Sequence, residues 1–188
     1  MNRYVMHKIL LLLAGIIGAS SWFLKPTTLD LQGKARIGFN SHQFWLVSAD
    51  DKHLIVADRR WMGSFDNYPT AGISVKGRDN RIDNWGLEKW LEEVSDPGNP
   101  ALIDKPKICE AMPYNLCEYI GYKKIRSYIF GKWQAVEFET SAASGGATHT
   151  VIDTNDYLYD IYYTFTGMTD KKDLTPRAYI QLLKSFRK

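Results

Sequence analysis

Cysteine and histidine are scarce in this sequence, at two and four among 188 residues. The histidines, His7, His42, His53 and His149, show no H-x-x-x-H or H-E-x-x-H spacing, and no second Cys/His pair lies near Cys109 and Cys117. A dedicated metal site is therefore not expected. There is no G-x-G-x-x-G and no phosphate-binding loop pattern, so no cofactor is expected. There is no G-x-S-x-G, and Ser144, followed by Gly145 and Gly146, sits in Ser141–Gly146, where a reversal between strands explains the small residues. Charge of one sign is also missing. The formal net charge is +3, but Arg3, Lys8 and Lys25 supply it before Pro26, and the remainder carries 21 basic and 21 acidic residues. A neutral domain lacks the electrostatic footprint that binds phosphate backbones, which excludes nucleic acid as the expected partner. No uncharged run reaches the roughly 20 residues of a comfortable membrane span.

What is present points first to export. Arg3 and Lys8 precede the 16-residue uncharged run Ile9–Leu24, and Lys25 closes it. A basic start followed by an apolar stretch is the pattern of a secretory signal. Residues 1–25 are read as a signal peptide or a signal anchor. Gly18-Ala19-Ser20 offers small residues for cleavage before Ser21; if cleavage fails, residues 9–24 would hold the protein in the inner membrane. The expected location is periplasmic in either case. In an exported chain, Cys109 and Cys117 are most simply a disulfide, the alternative being two buried thiols.

Residues 26–40, with Pro26, Thr27, Thr28, Gln32, Gly33 and Gly38, read as a tether, and residues 41–188 as a single α+β domain. With 45% hydrophobic and 24% charged residues the chain has an ordinary globular composition. Phe44–Val47 and His53–Ala57 flank Asp50-Asp51-Lys52 as a hairpin, and Ala71–Val75 is a third strand. Leu87, Trp90, Leu91 and Val94 recur at helical spacing, with Asp83 or Asn84 as cap and Asp96-Pro97-Gly98 as stop. Residues 99–113 are proline-punctuated and read as a long connection. Tyr122–Phe130 and Trp133–Thr140 flank Gly131-Lys132, and Ala147–Asp153 and Tyr157–Phe165 flank Thr154-Asn155-Asp156, giving two further hairpins. The alternation of Tyr157, Tyr159, Ile161, Tyr163 and Phe165 predicts a sheet with one strongly buried face. Thr175 as cap, Pro176 at the first helical position and the stripe Tyr179, Leu182, Leu183, Phe186 predict a closing helix. The predicted architecture is an antiparallel sheet packed with two or more amphipathic helices.

This order, with the closing segment Tyr179–Arg187 and the strand Asp156-Tyr157-Leu158-Tyr159-Asp160-Ile161 before it, resembles the PsbP-like fold, an α/β/α sandwich. The resemblance spans roughly residues 35–188. The family's opening strand usually carries a Tyr-x-Ile-x-Tyr-Pro segment, and Ala35-Arg36-Ile37-Gly38-Phe39-Asn40 lacks the proline. The resemblance implies a non-enzymatic binding or assembly module and names no partner.

The strongest binding signal is the segment from Arg59 to Pro69. Arg59, Arg60, Trp61, Met62, Phe65 and Tyr68 combine side chains enriched at protein interfaces with turn residues. Trp61 and Phe65 either tuck into the core or face a partner. The functional expectation is an exported, non-enzymatic binding or accessory protein of the bacterial cell envelope that meets a protein partner. An immunity-type protein or a complex-assembly subunit would be specific forms of it. The alternative is a small exported hydrolase using His149 with a nearby carboxylate, Glu137 or Asp160.

Overall fold

The computed structural model describes residues 27–31, 35–62, 68–95, 122–142, 145–166 and 174–188. The export segment 1–25, the 99–113 connection, Phe65, Cys109, Cys117 and Ser144 lie outside the described residues.

Two strands open the described chain, β1 (Thr27–Leu31) and β2 (Ala35–Phe39), paired antiparallel as a separate hairpin. Then come β3 (Phe44–Ala49), β4 (His53–Asp58), a single 3-10 turn at Arg59–Trp61, and β5 (Thr70–Gly77). A short helix α1 (Ile82–Trp85) and the helix α2 (Leu87–Ser95) follow. The second half is β6 (Tyr122–Phe130), β7 (Trp133–Ala142), β8 (Gly145–Asp153), β9 (Tyr157–Thr166) and the closing helix α3 (Thr175–Ser185). The larger sheet has seven antiparallel strands in the order β3-β4-β5-β9-β8-β7-β6. Each run of consecutive hairpins thus forms half of the sheet, and β5 joins β9 in the middle.

The tether reading of 26–40 is corrected here. Leu31, Ala35, Ile37 and Phe39 are all buried and belong to the main apolar cluster, so this stretch is part of the folded domain. Closing-helix contacts fix it there. Gly38 N–H donates to Ser185 Oγ at 2.8 Å, and Asn40 N–H donates to Gln181 Oε1 at 3.0 Å. Arg36 and Arg187 exchange two backbone hydrogen bonds, at 2.7 and 3.0 Å. Glycine and threonine suggested a linker, but the apolar side chains between them find a helix to cover them.

The centre of the seven-stranded sheet is buried on both faces. One face packs Val56, Ile73, Ile152, Tyr159 and Ile161 against Tyr179 and Leu182 of α3 and against Phe186 just beyond it. The other packs Val136, Phe138, Val151 and Leu158 against Leu87, Trp90 and Leu91 of α2. In β9 the residues from Leu158 to Tyr162 are all buried, because a central strand with a helix on each side has no wet face. The expectation of one buried face therefore falls short.

Turn chemistry follows the sequence closely. Phe130 pairs with Trp133 around Gly131-Lys132, and Gly131 takes φ 65°, a left-handed value that a two-residue hairpin requires. Asn155 takes φ 72° in the next turn but one, where its N–H donates to Asp153 Oδ1 at 2.9 Å. The helix caps differ from expectation. Asp83 and Asn84 lie inside α1, and Gly86 at φ 77° separates it from α2. Leu174, not Thr175, occupies the cap position of α3, and Thr175 is fully buried in its first turn.

Candidate functional site

Asp58 ends β4 and organises the turn that follows. Its carboxylate accepts from Arg60 N–H at 3.0 Å, from Arg60 Nε at 2.9 Å and from Arg60 Nη2 at 2.5 Å. Leu174 N–H, at the start of α3, also donates to it at 3.3 Å. Burial alone would raise the Asp58 carboxyl, but the Arg60 side chain, its backbone N–H and that of Leu174 outweigh it and hold the group below the ordinary carboxylate value. Arg59 Nε donates to Ser41 O at 2.7 Å. The turn is thus pinned to β4, to the loop before β3 and to the closing helix. On this frame Arg59 and Arg60 are exposed, Trp61 is half-buried and Met62 is 62% exposed. Tyr68 is half-buried, its ring 5.9 Å from that of Trp45. Five of the six residues singled out for binding are described, and four of them share this one turn.

His149 occupies a different environment. It sits on β8 with 1% of its surface exposed, stacked on Phe138 of β7 at 4.9 Å and tilted against Tyr162 of β9 at 6.0 Å. Its Nδ1 lies 3.0 and 3.1 Å from the two carboxylate oxygens of Asp160, and its Nε2 lies 3.3 Å from Thr140 Oγ1. The expected His149–carboxylate pair exists, with Asp160. Glu137 is on the opposite face and pairs with Arg126 at 2.7 Å. Asp160 and Thr140 are buried as well, so the chain hydroxyl–imidazole–carboxylate is closed to substrate. A buried polar network with every member paired orders a core rather than exposing a reagent. Gly72, across from Tyr162 on β5, completes the packing: a Cβ there would lie 2.6 Å from Tyr162 Oη and 2.7 Å from Leu54 O.

A second hydroxyl–imidazole–carboxylate chain lies at the β3–β4 turn, and the sequence reading did not single it out. Ser48 Oγ is 3.0 Å from His53 Nε2, and His53 Nδ1 is 2.9 Å from Asp50 Oδ2. The other oxygen, Asp50 Oδ1, accepts from Lys52 N–H and His53 N–H at 2.7 and 2.8 Å. The Lys52 N–H above all, with that of His53 and the nearby positive groups, holds the Asp50 carboxyl below its ordinary value despite some desolvation. The signal was Ser48-Ala49-Asp50-Asp51-Lys52-His53 read as a tight turn, which returns residue 53 beside residue 48. His42 and His53, by contrast, sit at opposite ends of this hairpin.

A groove of about 650 Å³ runs between α2 and the edge strand β6, lined by Trp85, Glu88, Glu92, Ser127, Ile129 and Gln134 among others. Within it Glu88 contacts Lys124 and accepts from Ser127 Oγ at 2.6 Å. Among the described residues no group of three or more His, Cys, Asp and Glu could hold a metal ion, and no helix is long and apolar enough to cross a membrane.

No protein-family model matches the chain, and no curated protein matches its sequence. Solved structures do. A Bacteroides thetaiotaomicron crystal structure aligns with 88% of this chain and 48% of its own, at 6% identity and a TM-score of 0.47. The chain therefore spans about half the length of that protein. The solution structure of cyanobacterial PsbP (CyanoP) from Synechocystis sp. PCC 6803 aligns over 87% of this chain and 91% of its own, at 9% identity and a TM-score of 0.46. The chain bears a weak resemblance to the PsbP-like fold.

Proposed function

We propose that this chain is an exported binding or accessory protein of the bacterial cell envelope, meeting a protein partner through the surface that carries Arg59, Arg60, Trp61 and Met62. The observation that carries the reading is Met62. It is a large apolar side chain, 62% exposed, next to two exposed arginines on a turn fixed from three sides. A pinned turn loses little conformational freedom on association, Met, Arg and aromatic side chains are enriched at interfaces, and Trp, Tyr and Arg dominate their energetics. Export rests on the basic start and uncharged run of residues 1–25, and the Cys109–Cys117 disulfide would form in the oxidising compartment this implies.

The hydrolase reading based on His149 has its Asp160 partner but lacks access. A substrate carbonyl has to come within about 3 Å of a nucleophile, and Thr140, His149 and Asp160 are each at most 5% exposed.

The test separates partner contact from folding. Met62→Asp and Arg60→Ala in the full chain should weaken partner capture from crosslinked envelopes, with Met62→Asp leaving the melting temperature unchanged because its side chain is exposed. Unchanged capture by both variants would remove this surface from the account.

A further inference from the structure

The two hydroxyl–imidazole–carboxylate chains lie on the same face of the large sheet. His53, Ser74 and Asp160 occupy directly opposed positions on β4, β5 and β9, and His149 lies two residues before Val151, the partner of Asp160. Their chemistry is alike and their access is not. In the inner chain the hydroxyl is a threonine with 2% exposure. In the outer chain the hydroxyl is a primary alcohol, Ser48 is half-buried, and the His53 and Asp50 side chains are 30% and 50% exposed.

We propose that Ser48, His53 and Asp50 form a reactive-serine site that accepts acyl groups from small, unhindered activated carboxylic esters. Asp50 is held in place by two backbone N–H groups on Oδ1, which leaves Oδ2 to accept from His53 Nδ1–H. That hydrogen bond selects the tautomer whose Nε2 lone pair faces the Ser48 hydroxyl, 3.0 Å away. Two further features of the fold serve the site. The register of β3 against β4 shifts between Leu46 and Ser48, and a bulge of this kind re-aims the side chain beside it. Among the described residues β3 is also an edge strand, and the outer backbone N–H groups of such a strand are the donors a developing oxyanion would use there.

The chemistry balances without a co-reactant other than water. Ser48 Oγ bonds to the ester carbonyl carbon as its proton passes to His53 Nε2, and the carbonyl π electrons move to oxygen. Collapse of that intermediate breaks the bond to the leaving alcohol, which takes the proton from His53 Nε2. Water then adds to the acyl carbon in the same way, giving the carboxylic acid and restoring Ser48. Ser48 is half-buried, so the substrates expected to reach its hydroxyl are small and unhindered.

The test uses the full chain and a fluorophosphonate probe, with peptide mass analysis to locate the label. The expected result is that Ser48 is modified in preference to the exposed Ser127, and that this preference disappears in urea. His53→Gln should lower the labelling rate at Ser48 by about a hundredfold, and Asp50→Asn should lower it as well. p-Nitrophenyl acetate should give a burst of p-nitrophenol in the native protein and none in Ser48→Ala. Circular dichroism identifies any variant that fails to fold, and the native-against-urea comparison needs no variant. Labelling of Ser48 no faster than of Ser127 in the native protein, or an unchanged rate in folded His53→Gln, would overturn the proposal.

Discussion

The hydroxyl oxygens of Thr150 and Tyr179 lie 2.6 Å apart, joining the middle of β8 to the closing helix through a buried hydrogen bond. Burial pushes the Tyr179 phenol well above its ordinary range, with Thr150 opposing only in part, so the group stays neutral. Tyr179→Phe removes this bond and leaves the Thr150 hydroxyl with the Tyr128 phenol as its remaining side-chain partner. The expected cost is about 0.5–1.5 kcal/mol, read from urea unfolding, and Tyr179→Phe with Thr150→Val should cost less than the sum of the singles.

Leu182 and Leu183 are neighbours on α3 with different surroundings. Leu182 has no exposed surface and belongs to the main cluster, whereas Leu183 is only partly buried. Leu182→Ala is expected to cost about 2–5 kcal/mol, and Leu183→Ala clearly less. Equal losses in chemical denaturation would mean that the helix docks with a different face.

Gly72 is required by contact rather than by backbone conformation. Any Cβ meets the Tyr162 ring and the Leu54 carbonyl. Gly72→Ala should therefore destabilise the protein by about 1–3 kcal/mol. Tyr162→Phe in the same chain should recover part of the loss and not all of it, because Leu54 O is backbone.

Lys76 gives a signature in alkali. Burial pulls its ammonium from 10.5 down to about 8, and Asp79 restores little. Between these values the unfolded chain binds the extra proton, so this group makes stability rise with pH over that window. Tyr159 acts oppositely above it, since burial raises its phenol from 10.0 to about 12 and the stability it contributes is lost as pH rises through that value. Lys76→Met should be more stable than the native protein at pH 7, with the difference shrinking toward pH 10. A constant difference in melting temperature from pH 7 to 10 would contradict this assignment.

The second half of the fold was legible because its signals are local. Gly131-Lys132 and Thr154-Asn155-Asp156 mark reversals by their own backbone needs, and the strands between them alternate. Composition reads residues 26–40 as a tether, and only the resemblance places an opening strand at Ala35–Asn40, because this stretch is fixed by a helix about 140 residues away and no local pattern announces such a partner. The same distance argument applies to the candidate sites. Arg59, Arg60, Trp61 and Met62 stood out by composition, yet the Asp58 contacts that fix them, including the one from Leu174, are tertiary. His149 was paired with the correct carboxylate as one of two options, but its burial depends on both flanking strands. Ser48, Asp50 and His53 escaped notice because residues lying in one short turn looked like turn chemistry alone.

A photo-crosslinking residue placed at position 62 tests the central claim most directly, with the same residue at position 132, on the exposed Gly131-Lys132 turn, as the control. Binding through the turn that carries Arg59, Arg60, Trp61 and Met62 predicts, in intact cells, a discrete protein adduct from position 62 that is absent from position 132. That adduct should be lost on Arg60→Ala in the same chain. No adduct at position 62, or an equal pattern from both positions, would contradict the account.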